Sequence, residues 1–295
     1  MGRRYDSISF LSDLGIADEH VGVVKAIVRD MAPHACIVDL THGIPSYDVR
    51  AGSLALARAI GYVPSGVVMA VVDAGDRRAV AIEVADGAGV VIGPDNGLLA
   101  SAISMAGGSG RAVILDNLEF QLASPGATVA SRDVFAPVAA HLCNGVDLAD
   151  LGTLVDADEL LPGVVPLPRD ADGGGVHAEV LWIDHVGNCQ LNIGLDDVTP
   201  WGVAAGTRLE VTAGDEVRVV QRVGRAGGLG PGSIGFVVDG FGLLTLVLDR
   251  RSAADELSLA TSDQVTVRPL AEGSNGPGVS VPVSLSRPPT QTTCR

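Results

Sequence analysis

The feature that most constrains the fold is a pattern that repeats in the first half of the chain: a short apolar run, a polar break, then a helical stretch. The first run, Ser7–Leu11, ends at a break over 12–15, and apolar residues then recur at helical intervals as far as Met31. Further runs follow at Ala35–Leu40 and Val67–Val72. Strands that alternate with helices predict an α/β domain with a doubly wound, mostly parallel sheet.

Polar side chains follow each of these three predicted strands. Asp13 follows the first, Thr41 and His42 the second, and Asp73 the third. In doubly wound sheets, ligands bind at the carboxyl ends of the strands. We therefore expect a ligand site where these breaks meet.

The sequence changes character after a Pro- and Gly-rich stretch at Leu161–Gly175. Beyond it, short alternating runs are separated by Gly-rich turns, which is typical of an all-β domain. The runs are Ala178–Ile183, Arg208–Thr212, Val217–Val223, Ser233–Val238 and Leu243–Leu248. We predict an N-terminal α/β domain over residues 1–165 and a C-terminal β-barrel-like domain over 176–270. Residues 271–295 are rich in Pro, Ser, Thr and Gly, which predicts a flexible tail.

Composition and charge exclude several classes of binding partner. With 47% hydrophobic and 19% charged residues, the chain is expected to fold as a globular protein. Its formal net charge of −15 repels nucleic acid and anionic membranes, so neither is an expected partner. The four cysteines have no metal-ligand spacing, so no metal is expected. The sequence shows no signal peptide or membrane span, which predicts a cytoplasmic protein.

Six motifs are more specific than composition, and they occur in a fixed order. They are FLSDLGIADEHVGVVKA from Phe10, IVDLTHGIPSYDVRAG from Ile37, VVDAGDRRAVAIE from Val71, IGPDNGLL from Ile92, SRDVFAPVAAHL from Ser131 and IDHVGNCQLNI from Ile183. Together they resemble the S-adenosylmethionine hydroxide adenosyltransferase family and its halogenating relatives, the fluorinase and the chlorinase. The resemblance covers nearly the whole chain except the tail.

The resemblance implies a homotrimer that binds S-adenosylmethionine between the N-terminal domain of one subunit and the C-terminal domain of the next. The implied reaction is a displacement at the ribose 5′ carbon, in which methionine leaves and water or a halide takes its place. S-adenosylmethionine is then the substrate, and no cofactor is implied. Because methionine leaves as a neutral group, the site must mainly align the nucleophile and remove part of its water.

Several substrate-binding residues are implied by position in the motifs. Asp13 matches a carboxylate that accepts hydrogen bonds from the two ribose hydroxyls, and Tyr47 matches an aromatic residue beside the ribose. Asp184 and Asn188 match residues that hold the methionine ammonium group and the adenine edge. The resemblance also places Val186 and Arg250 among the substrate-binding residues.

These residues have plainer interpretations as well. Asp13 alone would be read as a helix cap before Ile16. Tyr47 would be read as half-buried core. The sequence from Asp184 to Asn188 would be read as a strand-ending turn.

The resemblance also implies a nucleophile site. Asp73 matches the aspartate that positions the attacking water together with an arginine and a histidine. The arginine is either Arg77 or Arg78, and for one of them a solvated strand start is the plainer interpretation. Ala130 stands where the hydrolases have the histidine. Ser131 matches a serine that helps the fluorinase bind halide, with a helix cap before Val134 as an equal alternative.

Three further positions depart from the family pattern. Gly240 replaces a serine near the substrate carboxylate, Asp249 replaces an asparagine, and Ala226 replaces an aromatic residue that covers adenine.

The leading hypothesis is attack by water, which gives adenosine and methionine. The second is attack by a halide, and the third is a non-catalytic protein that binds S-adenosylmethionine or a nucleoside. His42 is interpreted as a structural histidine rather than a replacement base.

Overall fold

The computed structural model describes residues 4–202, 204–230 and 232–270. The chain divides into two compact units, Met1–Val165 and Pro166–Arg295. The predicted flexible tail, 271–295, lies outside the described residues. Among the residues that are described, no helix combines the length and apolar character needed to cross a membrane.

The first unit is built from strands and helices that follow one another along the chain. The strands are β1 Ser7–Ser12, β2 Cys36–Thr41, β3 Val67–Val71, β4 Ala79–Val84, β5 Gly89–Pro94, β6 Ser109–Ile114 and β7 Thr153–Val155. The helices are α1 His20–Met31, α2 Val49–Ile60, α3 Ala100–Met105 and α4 Ala136–Cys143. Helix α2 begins with a side-chain cap, because the Asp48 carboxylate accepts a hydrogen bond from Ala51 N at 2.8 Å.

The strands of this unit form one sheet in the order β2-β1-β3-β5-β4-β6-β7. The four strands β2, β1, β3 and β5 are parallel, and β4 runs antiparallel to both of its neighbours. Every residue of β1 and β3 is buried, as expected for central strands covered on both faces. The prediction of a mostly parallel sheet is therefore confirmed.

Helices cover both faces of the sheet. Ile8 and Phe10 of β1 share a core with Val24 and Val28 of α1 and with residues of α4. On the other face, α2 approaches the sheet so closely that a Cβ added to Gly52 would lie 3.0 Å from Val72 Cγ2. Adjacent residues of a strand point to opposite faces, so this arrangement buries both sides of the strands.

The second unit is almost entirely β structure. Its strands are β8 Arg169–Ala171, β9 Gly175–Ile183, β10 Cys189–Gly194, β11 Arg208–Ala213, β12 Glu216–Arg222, β13 Ile234–Val238, β14 Leu243–Leu248 and β15 Gln264–Pro269. Two short helices, α5 Leu195–Val198 and α6 Ala253–Leu257, accompany them. The strand β8 lies inside the Pro- and Gly-rich stretch that the sequence analysis treated only as a boundary.

Seven of these strands close into a barrel. Their order is β10-β14-β13-β12-β11-β15-β9, and β9 pairs with β10 to complete the ring, while β8 adds to β9. Alternate residues of each strand point inward and form a core around Val180, Leu191, Val211 and Phe236. The predicted β-barrel-like domain is confirmed.

Candidate active site

A pocket opens at the carboxyl ends of β1 and β3, where the sequence analysis expected one. Its volume is about 360 Å³, and the loops after β1, β2 and β3 line it together with residues 128–131. Asp13, Tyr47, Asp73 and Ser131 all line this pocket. The first unit therefore brings together four of the residues that the motifs singled out.

Asp13 organises one side of the pocket through a single carboxylate oxygen. Its Oδ2 accepts hydrogen bonds from Tyr47 N at 3.0 Å and from Asp73 N at 3.2 Å. No residue that the structure describes bonds to its Oδ1, so this oxygen is available to a ligand. The helix-cap interpretation of Asp13 is wrong, because α1 begins at His20 and the residue in the cap position is Glu19.

Tyr47 and Asp73 share an unusual backbone conformation. Their φ angles are +67° and +47°, in the left-handed region that residues with a side chain seldom adopt. Such conformations persist only where the surroundings hold them, and they concentrate at functional sites. The Tyr47 side chain is 77% exposed, so its interpretation as half-buried core is wrong.

Ser131 lines the pocket and is buried. It is 3% exposed and begins a π-helical turn, Ser131–Phe135, that leads into α4. The helix-cap interpretation is wrong, because Ala130 occupies the cap position and makes no side-chain cap bond. Among the described residues, the Ser131 hydroxyl has no hydrogen-bond partner. It can therefore serve a small molecule or ion in the pocket.

Asp133 holds the backbone beside Ser131, a role that was not predicted from the sequence. Its carboxylate accepts hydrogen bonds from Val129 N at 2.8 Å and from Arg132 Nε at 2.6 Å. The hydrogen bond from Arg132 lowers the pKa of the Asp133 carboxyl, although burial opposes this. The role of Asp133 could have been predicted from the adjacent Arg132 and Asp133 in the SRDVF motif, because a buried carboxylate needs a charged or hydrogen-bonding partner.

The two candidate arginines have different surroundings. Arg78 forms an ion pair with the buried Asp95, and its Nε donates to Asp95 Oδ2 at 3.0 Å. Arg77 is exposed and has no ion pair among the described residues. Neither arginine lines the pocket.

His42 is held at both ring nitrogens, which confirms its structural interpretation. Nδ1 lies 2.8 Å from Ser12 Oγ, Nε2 lies 3.2 Å from Asp39 Oδ1, and the ring packs edge-on against Phe10. Burial raises the pKa of Asp39, but hydrogen bonds from Lys25 and His42 outweigh it and lower the pKa overall. Because His42 belongs to the loop that carries Tyr47, this network joins the loops after β1 and β2.

The remaining candidate residues lie in the second unit. The interpretation of 184–188 as a strand-ending turn is confirmed. Asp184 Oδ1 accepts from Val186 N at 3.0 Å and Asn188 N at 2.9 Å, and Asn188 Nδ2 donates to Asp184 Oδ2 at 2.8 Å. Val186 is 52% exposed at the tip of this turn.

The turn lies beside the segment that contains Arg250. A Cβ added to Gly187 would lie 2.1 Å from Ser252 Oγ, so only glycine fits against that segment. Arg250 is exposed and has a φ of +56°. The barrel therefore gathers Val186, Asn188 and Arg250 at one end of its strands.

Comparison with known proteins identifies the family. The model of the SAM hydroxide adenosyltransferase N-terminal domain matches residues 8–152, and that of the C-terminal domain matches residues 178–266. The chain belongs to the SAM hydroxide adenosyltransferase family. The resemblance inferred from the six motifs is thereby confirmed.

Individual relatives of this family member span most of its length. It is 38% identical over 266 residues to the (R)-S-adenosyl-L-methionine hydrolase of Salinispora tropica, covering 88% of this chain and 97% of that protein. The fluorinase of Actinoplanes sp. is 28% identical over 230 residues, covering 69% and 77%.

Solved structures from two other organisms share the fold of this family member. An uncharacterized conserved protein from Thermotoga maritima has a TM-score of 0.79 and 28% identity, covering 88% of this chain and 99% of that one. A conserved hypothetical protein from Thermus thermophilus has a TM-score of 0.67 and 34% identity, covering 90% and 99%.

Proposed function

We propose that this protein is an S-adenosylmethionine hydrolase: water displaces L-methionine at the ribose 5′ carbon, and the products are adenosine and L-methionine. The observation that carries the proposal is the pocket that collects Asp13, Asp73 and Ser131 at the ends of β1 and β3. The 38% identical relative named as a hydrolase supports water as the nucleophile.

The proposed reaction breaks the bond between the 5′ carbon and sulfur as the water oxygen bonds to the carbon. The electron pair of the broken bond stays on sulfur, so methionine leaves as a neutral thioether without help from an acid. The attacking water loses its proton to the Asp73 carboxylate and then to solvent. Asp73 also orients this water, because a fixed acceptor converts a random encounter into an aligned attack.

The other groups of the pocket bind the substrate. Asp13 Oδ1 accepts from the ribose hydroxyls while its Oδ2 holds the amides of Tyr47 and Asp73. Tyr47 lies against the ribose. Ser131 hydrogen-bonds the nucleophile, and Arg77 is the candidate for the remaining cationic group because Arg78 is paired with Asp95. No cofactor or metal is required, so activity is expected to survive treatment with a chelator.

We also propose a homotrimer in which the barrel of one subunit completes the pocket of the next. The barrel carries Asp184, Val186, Asn188 and Arg250, which would bind the methionine and adenine parts of the substrate. Light scattering tests the assembly. If D73N and N188A are inactive separately, co-expression should restore activity in mixed trimers. In a ring, each pocket is completed by the barrel of the next subunit, so about a quarter of the pockets should combine an intact Asp73 with an intact Asn188. The cytoplasmic location stays a prediction.

The reaction is tested by chromatography of the products from S-adenosylmethionine in halide-free, chloride and fluoride buffers. Adenosine is expected in every buffer. D73N should lower kcat by about a hundredfold or more, as expected for loss of a base that orients water. D86N is the matched control, because Asp86 has a similar φ of +52° and lies exposed at a turn after β4. Unchanged S-adenosylmethionine after long incubation at high enzyme concentration rejects the proposal.

Halide transfer is the second candidate because of the unpartnered Ser131 hydroxyl and the alanine at position 130. In this case the halide replaces water, and the product is a 5′-halo-5′-deoxyadenosine. A halide-dependent product that is lost in S131A would support it, and absence of that product across halides rejects it. Binding of adenosine or S-adenosylmethionine by calorimetry, with no turnover, would instead identify a binding protein.

A further inference from the structure

The loop that carries Asp73 crosses over the end of another strand. It leaves β3 after Val71 and enters β4 at Ala79, but β5 lies between these two strands in the sheet. The chain that leaves β5 therefore emerges directly beside the loop. The first residues after β5 are Asp95 and Asn96, which lie in the IGPDNGLL motif.

Asn96 holds the end of the loop where Asp73 lies. Its Nδ2 donates to Val72 O at 3.0 Å and to Asp73 O at 3.2 Å. Its Oδ1 accepts from Leu98 N at 3.1 Å, which fixes the orientation of the amide. One side chain thus bonds both carbonyls that flank the backbone turn at Asp73.

Asp95 holds the other end of the same loop. Its carboxylate is 4% exposed and pairs with the Arg78 guanidinium, while its backbone N–H donates to Arg78 O at 2.8 Å. Its Oδ1 also accepts from Leu161 N at 2.8 Å. Between the two supports, residues 75–77 are exposed.

We propose that Asp95 and Asn96 are positioning residues that hold the two ends of loop 73–78, and that Asn96 keeps Asp73 in its active conformation. This inference rests on the proposed role of Asp73 in orienting water. The left-handed backbone of Asp73 costs free energy and needs external support. Asp13 Oδ2 supplies part of that support at Asp73 N, and Asn96 supplies another part at Asp73 O.

The test compares N96A and N96D with N117A and N117D. Both Asn96 variants lose the two donated bonds, and only N96D adds charge, so a shared effect reports the lost donors. Asn117 is the matched control because it makes the same kind of bonds, donating to Asp150 O at 2.8 Å and accepting from Glu119 N at 3.1 Å, and it does not line the pocket.

The Asn96 variants are expected to lower kcat by about tenfold to a hundredfold with KM within about threefold, because misaligned groups slow the reaction more than they weaken binding. The Asn117 variants should change neither constant. In a D73N background, N96A should lower kcat no further, since Asn96 acts through Asp73. An equal loss of kcat with and without Asp73, or no loss in the Asn96 variants, overturns the proposal.

Hydrogen exchange measured by mass spectrometry provides a readout that does not depend on turnover. The peptide that covers 72–78 should exchange about tenfold faster in N96A and at the wild-type rate in N117A. An unchanged rate in N96A overturns the positioning role. If wild-type protein leaves S-adenosylmethionine unchanged, the proposed function fails, and the exchange rates still decide whether Asn96 holds the loop.

Discussion

At the scale of single residues, the two carboxylate oxygens of Asp13 have different surroundings. Oδ2 accepts from the amides of Tyr47 and Asp73, which both have positive φ angles, and Oδ1 is left for a ligand. Hydrogen bonds to a charged acceptor are stronger than neutral ones. One carboxylate therefore stabilises two strained backbone positions and also lines the pocket.

We predict that D13A raises the KM for S-adenosylmethionine by about tenfold to a hundredfold, because it removes a charged acceptor for the ribose and frees both amides. The matched control is D116A. Asp116 also holds backbone with its carboxylate, accepting from Thr153 N at 2.9 Å, but it does not line the pocket. Steady-state kinetics and thermal unfolding of both variants provide the comparison. A D13A enzyme with the KM of D116A would contradict the assignment.

At the scale of elements, two helical glycines have opposite roles although helix propensity treats them alike. Gly22 in α1 is exposed, and a Cβ added there would meet nothing within 4 Å. Gly52 in α2 faces the sheet, where a Cβ would lie 2.8 Å from Leu98 Cδ1 and 3.0 Å from Val72 Cγ2. Gly52 therefore permits a close approach of α2 to the strand that precedes Asp73.

We predict that G22A stabilises the protein by about 0.5–1 kcal/mol, as expected from helix propensity. G52A should instead destabilise it by about 1–3 kcal/mol, because Leu98 and Val72 are fully buried and have little space to move. The free energy of unfolding, measured by denaturant titration, distinguishes the two. Stabilisation by G52A would show that the packing at this contact is loose.

At the scale of the whole molecule, ion pairs of buried carboxylates are expected to make the stability of the first unit depend on acid pH. In the first unit, hydrogen bonds from Arg111 and Arg132 lower the pKa of Glu83 and Asp133 respectively, although burial opposes both shifts. A carboxyl group with a lowered folded-state pKa stabilises the protein above its unfolded pKa, near 4 for such groups. That stabilisation is lost as the pH falls through the folded pKa.

We predict that E83Q lowers the stability of the first unit by about 1 kcal/mol at neutral pH. The expected loss is small because Arg111, the partner of Glu83, is exposed, and solvent screens their ion pair. The difference from wild type should shrink as the pH falls through the lowered pKa of Glu83, because the carboxyl group is then protonated in both the folded and the unfolded state. Helical circular dichroism follows mainly the first unit, whereas both tryptophans, Trp182 and Trp201, report on the second. E119Q, at an exposed glutamate, is the control. A pH-independent difference would contradict the prediction.

Much of the fold could be predicted because the relevant signals are local. Apolar runs marked β1, β2 and β3, and alternation marked five of the seven strands of the barrel, all except β10 and β15. The short strand β8 was missed because three residues in a Pro- and Gly-rich stretch carry no period. In the site, the motifs identified Asp13, Tyr47, Asp73 and Ser131, which line the pocket. The helix-cap interpretations failed because the true helix boundaries depend on the surrounding structure.

Sequence alone was enough to predict the two kinds of domain and the family and to name the candidate site residues, since composition, periodicity and motifs are properties of neighbouring residues. Only the tertiary structure decided that Arg78 pairs with Asp95 and that Asn96 holds the backbone of Asp73. Both contacts exist because β5 inserts between β3 and β4. Strand order results from long-range pairing and packing, so no local pattern reveals which residues support the reactive loop.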